Sequence, residues 1–75
     1  MSTADIVRMA NQIAEFFSAY PEEEALTGAS QHIIDFWDPR MRSELEAHLA
    51  TGGAGLSPLA LAAAKRIHRS QTVPA

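Results

Sequence analysis

Three of the chain's four prolines divide it into segments of the length of a helix, and their spacing limits the fold more than any other feature. Proline is favoured at the first position of a helix, whereas the residue before it is disfavoured in helical conformation. Asp38 and Ser57 also carry side-chain oxygens that can cap the start of a helix. One element should end and a helix should begin at each of the pairs Tyr20-Pro21, Asp38-Pro39 and Ser57-Pro58.

Apolar residues recur at steps of three and four within each segment, which predicts amphipathic helices rather than strands. The predicted helices span residues 4–19, 21–37, 39–50 and 58–68. Ser2 or Thr3 can cap the first of them through its hydroxyl oxygen. We therefore predict an all-α fold, a small bundle of about four short helices. The helical domain is expected at residues 1–69, and a flexible, disordered tail is expected at residues 70–75.

The same spacing predicts the faces that form the core. Its predicted members are Ile6, Met9, Ala10, Ile13, Phe16, Phe17, Tyr20, Leu26, Ala29, Ile33, Phe36, Trp37, Met41, Leu45, Leu49, Leu59, Leu61 and Ile67. Gly28 interrupts the second helix at a cost of about 1 kcal/mol relative to alanine. Either the helix tolerates this defect or, as we favour, another backbone approaches it closely there. Gly52 is expected to end the third helix in the left-handed conformation.

The composition excludes several classes of function. The chain has no cysteine, which excludes disulfides, thiolate metal sites and cysteine-bound iron–sulfur clusters. Its net charge of -3 argues against nucleic-acid binding, which requires a basic surface. No stretch is long enough to span a membrane, and residues 1–12 lack the pattern of a secretory signal. We therefore expect a soluble, cytoplasmic protein without nucleic-acid or membrane partners.

The residues that could carry chemistry do not form a recognised motif. His32, His48 and His68 lack the i, i+4 spacing of a helical zinc site. A metal site built from all three is an alternative, but surface or interface histidines are the simpler interpretation. The loop at residues 52–55 is rich in glycine yet lacks the spacing of a phosphate-binding loop. The sequence therefore predicts no catalytic, cofactor-binding or metal-binding residues.

The segment at residues 36–42, FWDPRMR, combines an aromatic pair with two arginines at a rigid corner. Tryptophan and arginine are enriched at the energetically important positions of protein interfaces. Asn11 and Gln12 are polar residues that a helix in this fold does not by itself require. The residues that we predict to contact a partner or to form the corner are Arg8, Asn11, Gln12, Trp37, Arg40 and Arg42.

The order of these motifs resembles a known family. The strings are RMANQI at residues 8–13, FF at 16–17, YP at 20–21, HI at 32–33, FWDPRMR at 36–42 and, after a glycine loop, LSP at 56–58. Together they resemble the delta subunit of NAD-dependent formate dehydrogenase. The likeness extends over residues 5–68, which is most of the chain.

The resemblance implies a soluble, cytoplasmic, multisubunit oxidoreductase. Its alpha subunit carries a molybdenum or tungsten pterin and iron–sulfur clusters, and other subunits carry flavin and the NAD site. The delta subunit itself would be a non-catalytic accessory subunit without cofactors, which binds the larger subunits, alpha foremost, to support assembly or stability.

Two alternatives to a permanent accessory subunit stay open. The chain could act as a transient assembly chaperone for cofactor insertion, or as an independent helical module for interaction or regulation. Self-association of the isolated chain is compatible with all three roles, because an apolar face that binds a partner also binds itself.

Overall fold

The computed structural model describes residues 2–72 of the chain. They form four α-helices: α1 at Thr3–Phe17, α2 at Glu22–Phe36, α3 at Pro39–Ala50 and α4 at Pro58–Thr72. No strand occurs between residues 2 and 72. The predicted all-α fold of four short helices is confirmed.

The helix starts follow the capping chemistry of the sequence. At α1, the Ser2 hydroxyl accepts a hydrogen bond from the Asp5 N–H at 3.2 Å, and the Asp5 carboxylate accepts one from the Ser2 N–H at 3.3 Å. This reciprocal arrangement is a capping box. At α3, Asp38 accepts a hydrogen bond from the Met41 N–H at 2.9 Å, and Pro39 is the first helical residue. α3 therefore begins where the sequence predicts it, and α1 begins at Thr3, one residue before the predicted start, with Ser2 as its cap.

The last helix is longer than predicted. α4 continues to Thr72, whereas the sequence predicts an end near residue 68. The predicted disordered tail at residues 70–75 therefore overlaps the last turn of α4. Its remainder, residues 73–75, lies outside the described residues.

The helices pack so that α1 and α4 each contact the other three. This arrangement agrees with the sequence of α4, which is apolar nearly all round until Lys65. The central core is small-residue rich, and its buried members are Ile6, Ala10, Ala14, Ile33, Trp37, Leu45, Ala60, Ala64 and Ile67. Four of these nine residues are alanines, and their small side chains let the helix backbones approach closely.

Three predicted core residues are instead exposed to solvent. Phe16 is 69% exposed, Tyr20 is 50% exposed and Phe36 is 74% exposed. The centre of the α1 face is the row of Ile6, Ala10 and Ala14, which is buried. The large aromatic side chains lie at the edge of the apolar stripe, beyond the reach of the neighbouring helices. The prediction that they belong to the core was therefore wrong.

Gly28 does lie in close contact with another helix, but the contact is with a side chain rather than with the backbone. A Cβ built at Gly28 would lie 2.5 Å from Cε1 and 2.6 Å from Cδ1 of Phe17. The expected backbone neighbour is thus replaced by an aromatic ring from α1. Gly52 has a φ of +114° directly after α3, which confirms the predicted glycine stop.

Candidate protein-binding site

An open groove lies on the surface formed by α1, α2 and the start of α3. Its volume is about 450 Å³, and its lining consists of Met9, Gln12, Ile13, Phe16, Phe17, His32, Phe36, Trp37 and Met41. Phe16 and Phe36, the two most exposed of the large apolar side chains in the described part of the chain, both belong to it. Contiguous exposed apolar surface of this kind marks interaction sites in soluble proteins. We refer to this surface as the aromatic groove.

The rings of the aromatic groove contact one another in two pairs. Phe16 and Phe17 meet edge to face with their centroids 5.0 Å apart, and His32 lies 4.7 Å from Phe36. Phe17 connects the pairs, because its centroid is 6.3 Å from that of His32. Aromatic pairs at such distances stabilise one another beyond the area that they bury. The groove is therefore lined by rings that support each other on two neighbouring helices.

The lining of the aromatic groove contains no Asp, Glu, Lys or Arg. Apart from the indole N–H of Trp37, its polar side-chain groups are the amide of the exposed Gln12 and the imidazole of the half-buried His32. Binding surfaces commonly combine an apolar centre with a few polar groups that fix orientation. A mainly apolar lining without Asp, Glu, Lys or Arg suits an apolar surface of another molecule.

Trp37 forms the floor of the groove rather than its rim. Its side chain is only 5% exposed and belongs to the core cluster, with Met41 packed against that cluster. Trp37 also ends α2 in an extended conformation, with φ at -87° and ψ at 139°. The two predicted roles were partner contact and formation of the corner between α2 and α3. Trp37 mainly forms the corner, and little of its side chain is exposed in the groove.

Arg42 joins the end of α2 to the start of α3. Its Nη1 donates hydrogen bonds to the carbonyl oxygens of Ile34 at 3.0 Å and Trp37 at 3.1 Å. These carbonyls belong to the last turn of α2, where no further intrahelical donor follows. A cation at this end also complements the helix dipole. The structure therefore gives Arg42 a role within the fold.

Arg40 and Arg8 lie on the surface outside the aromatic groove. Arg40 is exposed in the first turn of α3. Arg8 forms an ion pair with Asp5 at 2.9 Å, in which both side chains are substantially exposed. The hydrogen bond from Arg8, followed by those from Ser2, lowers the pKa of the Asp5 carboxyl below its ordinary value of 3.8.

Asn11 connects α1 to the glycine loop before α4. Its Nδ2 donates to the Gly55 carbonyl at 2.9 Å, and its Oδ1 accepts from the Ser57 N–H at 2.9 Å. His48 holds the same loop from α3, because its Nε2 lies 2.7 Å from the Ala54 carbonyl oxygen. The fold therefore does require a polar side chain at position 11. The premise that the helix alone does not require Asn11, on which its selection as a contact residue depended, was wrong.

The six predicted contact residues do not form one surface. Gln12 and Trp37 line the aromatic groove, and Gln12 also lines a shallow depression beside Arg8 and Asn11. Arg40 and Arg42 line neither surface. Gln12 is the one residue that the two surfaces share.

Sequence reasoning missed the exposed aromatic residues of the groove. Phe16 and Phe17 are adjacent, so their side chains point about 100° apart on a helix and only one can face the centre of the core. The same argument separates Phe36 from Trp37. These two aromatic pairs were the signal in the sequence that could have indicated a surface aromatic patch.

Residues 2–72 contain neither a metal-binding cluster nor a membrane-spanning helix. No three His, Cys, Asp or Glu side chains there are placed to hold a metal ion. The three histidines have different neighbours: His32 lies against Phe36, His48 against Ala54 and His68 against Glu46. None of the described helices is both long and apolar enough to cross a bilayer.

Comparison with known families identifies the chain. The family model of the NADH-dependent formate dehydrogenase delta subunit, FdsD, matches residues 5–64. This range covers α2 and α3 completely, nearly all of α1 and the first half of α4. The chain belongs to the FdsD family. Neither the curated proteins nor the solved structures gave a match to it.

Membership of the FdsD family confirms the resemblance that the motifs RMANQI, FF, YP and FWDPRMR indicate. Every residue that lines the aromatic groove lies inside the matched range. The candidate site is thus part of the FdsD domain itself, and not of the C-terminal turns of α4 beyond it.

Proposed function

We propose that this FdsD-family chain is a non-catalytic accessory subunit of a soluble, cytoplasmic, NAD-dependent formate dehydrogenase. In this proposal it binds the larger subunits, with alpha as the favoured partner, and supports the assembly or stability of the complex. The aromatic groove is the contact surface. The observation that carries the proposal is the exposure of Phe16 and Phe36, at 69% and 74%, on a member of a family of enzyme subunits.

The composition of the groove indicates the chemistry of its occupant. Because the lining is mainly apolar and aromatic and has no Asp, Glu, Lys or Arg, the complementary surface is an apolar helix face with at most a few polar groups, placed opposite Gln12 and His32. Grooves between packed helices recognise such faces through apolar side chains at three- and four-residue steps. Burial of the two exposed phenylalanine rings supplies the main favourable free energy, since apolar area removed from water contributes about 25 cal/mol per Å².

The proposed effect on the complex follows from mass action. A subunit that binds only the assembled form shifts the equilibrium toward that form, by about 2.7 kcal/mol at a hundredfold excess over the dissociation constant. The sequence supports a role without electron transfer, since a chain with no cysteine cannot bind an iron–sulfur cluster through thiolates.

Co-purification of the chain with the larger formate dehydrogenase subunits tests the contact surface. The double variant Phe16→Ser/Phe36→Ser should fold normally and lose retention by the complex. Ile34→Ser is the matched control, because Ile34 is also exposed, at 37%, but does not line the aromatic groove. Full retention of the double variant would exclude the groove as the contact surface.

Native mass spectrometry of the purified, active enzyme separates a permanent subunit from a transient chaperone. A permanent subunit adds a component of 8.1 kDa to the complex. Active enzyme that lacks this component would favour the chaperone role instead. In the isolated chain, the same groove offers a surface for weak self-association, which sedimentation at rising protein concentration measures.

A further inference from the structure

One face of α2 carries a row of three positions, of which two line the aromatic groove and the third, Gly28, has no side chain. Gly28, His32 and Phe36 follow one another at four-residue steps, so they lie above one another on the same face of the helix. His32 and Phe36 fill their places with rings whose centroids are 4.7 Å apart. Gly28 has no side chain to fill its place in the row, and the Phe17 ring from α1 fills that space instead.

The position of the Phe17 ring depends on that vacancy. Its Cε1 and Cδ1 atoms lie 2.5 Å and 2.6 Å from where a Cβ at Gly28 would be, and its Cζ lies 3.3 Å away. Carbon atoms that are not bonded prefer separations of about 3.5–4.0 Å. Any side chain at position 28 therefore forces the ring to move, since the backbone of α2 is held by its own hydrogen bonds.

The seated Phe17 ring in turn determines the shape of the groove. It meets Phe16 edge to face at 5.0 Å and lies edge-on to His32 at 6.3 Å, so it lies between the exposed Phe16 ring and the His32–Phe36 pair. Phe17 is half-buried and lines the groove together with Phe16 and Phe36. A ring displaced by a Cβ at Gly28 changes the shape of the groove, because Phe17 lines it.

We infer that Gly28 is a positioning residue for partner binding: its missing side chain seats the Phe17 ring and thereby keeps the aromatic groove open for the apolar helix face of a larger formate dehydrogenase subunit. This inference rests on the proposed function. It also accounts for a glycine in the interior of α2, where helix propensity alone favours alanine.

The test measures how tightly full-length variants bind the larger subunits that were purified without this chain. Gly28→Ala should fold, because the half-buried Phe17 can yield, but it should bind about tenfold more weakly or worse. Gly28→Ala/Phe17→Leu, in which the smaller side chain leaves room for the new Cβ, should bind more tightly than Gly28→Ala but more weakly than wild type, because it lacks the Phe17 ring that lines the groove. Glu24→Ala, an exposed change on the same helix, is the control and should bind as wild type does.

Nuclear Overhauser contacts in the free protein supply a second measurement that does not depend on a partner. The wild-type chain should show contacts between the Gly28 Hα protons and the Phe17 ring protons, and Gly28→Ala should lose the corresponding contacts. Binding of Gly28→Ala is measured on protein that circular dichroism shows to be fully folded, because Phe17→Leu would relieve the same clash in a chain that was merely unstable.

The outcomes distinguish the inference from the proposed function. A wild-type chain that does not bind the larger subunits overturns both. Wild-type binding with undiminished binding of Gly28→Ala overturns the inference alone. An unfolded Gly28→Ala variant, or a double variant that stays as weak as the single one, also overturns it, because either result means that displacement of the Phe17 ring is not the cause.

Discussion

The side-chain oxygen of Asn11 in α1 accepts a hydrogen bond from the backbone N–H of Ser57 at 2.9 Å. Ser57 in turn caps α4, because its hydroxyl accepts a hydrogen bond from the Ala60 N–H at 3.2 Å. The other end of the Asn11 amide donates to the Gly55 carbonyl at 2.9 Å. One side chain thus determines where α4 begins relative to α1, across a separation of more than forty residues.

Replacement of Asn11 by alanine should destabilise the protein. Asn11→Ala leaves the Ser57 N–H and the Gly55 carbonyl without these partners, so the free energy of unfolding should fall by about 1–3 kcal/mol. Urea denaturation followed by circular dichroism measures this change. Gln12→Ala is the neighbouring control, since Gln12 is exposed, and it should change stability by less than about 0.5 kcal/mol. Equal effects of the two substitutions would show that the loop does not depend on Asn11.

The two arginines of the FWDPRMR segment should differ in their effect on stability. Arg42→Ala removes the donor to the Ile34 and Trp37 carbonyls and should lower the free energy of unfolding by about 1–3 kcal/mol. Arg40→Ala should change it by less than about 0.5 kcal/mol, because Arg40 is exposed. Thermal or urea unfolding of both single variants measures the contrast.

This contrast affects how the arginines are tested as partner contacts. A variant with both arginines replaced would lose binding through instability as well as through lost contacts. Arg40→Ala alone isolates the contact, since its fold is expected to stay intact. If Arg40→Ala were as destabilising as Arg42→Ala, the assignment of Arg42 as the residue that joins α2 to α3 would be wrong.

Protonation of Asp5 should weaken the start of α1 in acid. The Arg8 hydrogen bond and then the Ser2 hydrogen bonds lower the pKa of Asp5 in the folded state below 3.8. A group with a lowered folded-state pKa stabilises the protein fully above its unfolded pKa and loses this contribution as the pH falls through the folded value. The stability that the Asp5 carboxylate contributes is therefore lost below pH 3.8.

A carboxyl-detected NMR titration measures the Asp5 pKa directly. Arg8→Ala should raise it toward 3.8, because the first of the contributing hydrogen bonds is then lost. The Arg8→Ala chain should also lose less stability than wild type over the same acid range. A pKa that does not respond to Arg8→Ala would show that the ion pair does not form in solution.

The fold was predictable because its determinants are local. The proline pairs and the cap at Asp38 act within one helical turn, and they placed the starts of α2 and α3 correctly or within one residue. The helix ends were predicted less accurately. α1 stops at Phe17 rather than at residue 19, and α4 continues to Thr72 rather than ending at residue 68. Helix ends depend on tertiary contacts and fray by one or two residues, which a local pattern does not specify.

The site was only partly predictable because burial at the edge of an apolar stripe depends on how helices cross. Periodicity identified Ile6, Ala10 and Ile33 as core residues, and the structure buries them. It also assigned Phe16 and Phe36 to the core, although no neighbouring helix covers that edge. The role of Asn11 was hidden for a related reason, since its partners at Gly55 and Ser57 are distant in sequence and follow no periodic pattern.

Substitutions at Ile33 and Phe36 should separate core from surface on α2. Ile33 is 1% exposed and Phe36 is 74% exposed, although they are three residues apart on the same helix. Ile33→Ala leaves a cavity in the core and should lower the free energy of unfolding by about 2–5 kcal/mol. Phe36→Ala removes a larger side chain, yet it should lower this free energy by less than about 1 kcal/mol because the ring is already in contact with water.

Urea denaturation of the two variants gives both values under one set of conditions. Burial of a phenylalanine in a core would make Phe36→Ala cost about 3–5 kcal/mol, so the experiment distinguishes the two placements clearly. A large loss at Phe36 would mean that its ring is packed within the protein, and the aromatic groove would then lack one of its two exposed rings. A small loss of stability would mean that the Phe36 ring is exposed in the free chain, so that its burial against a partner can contribute to the free energy of binding.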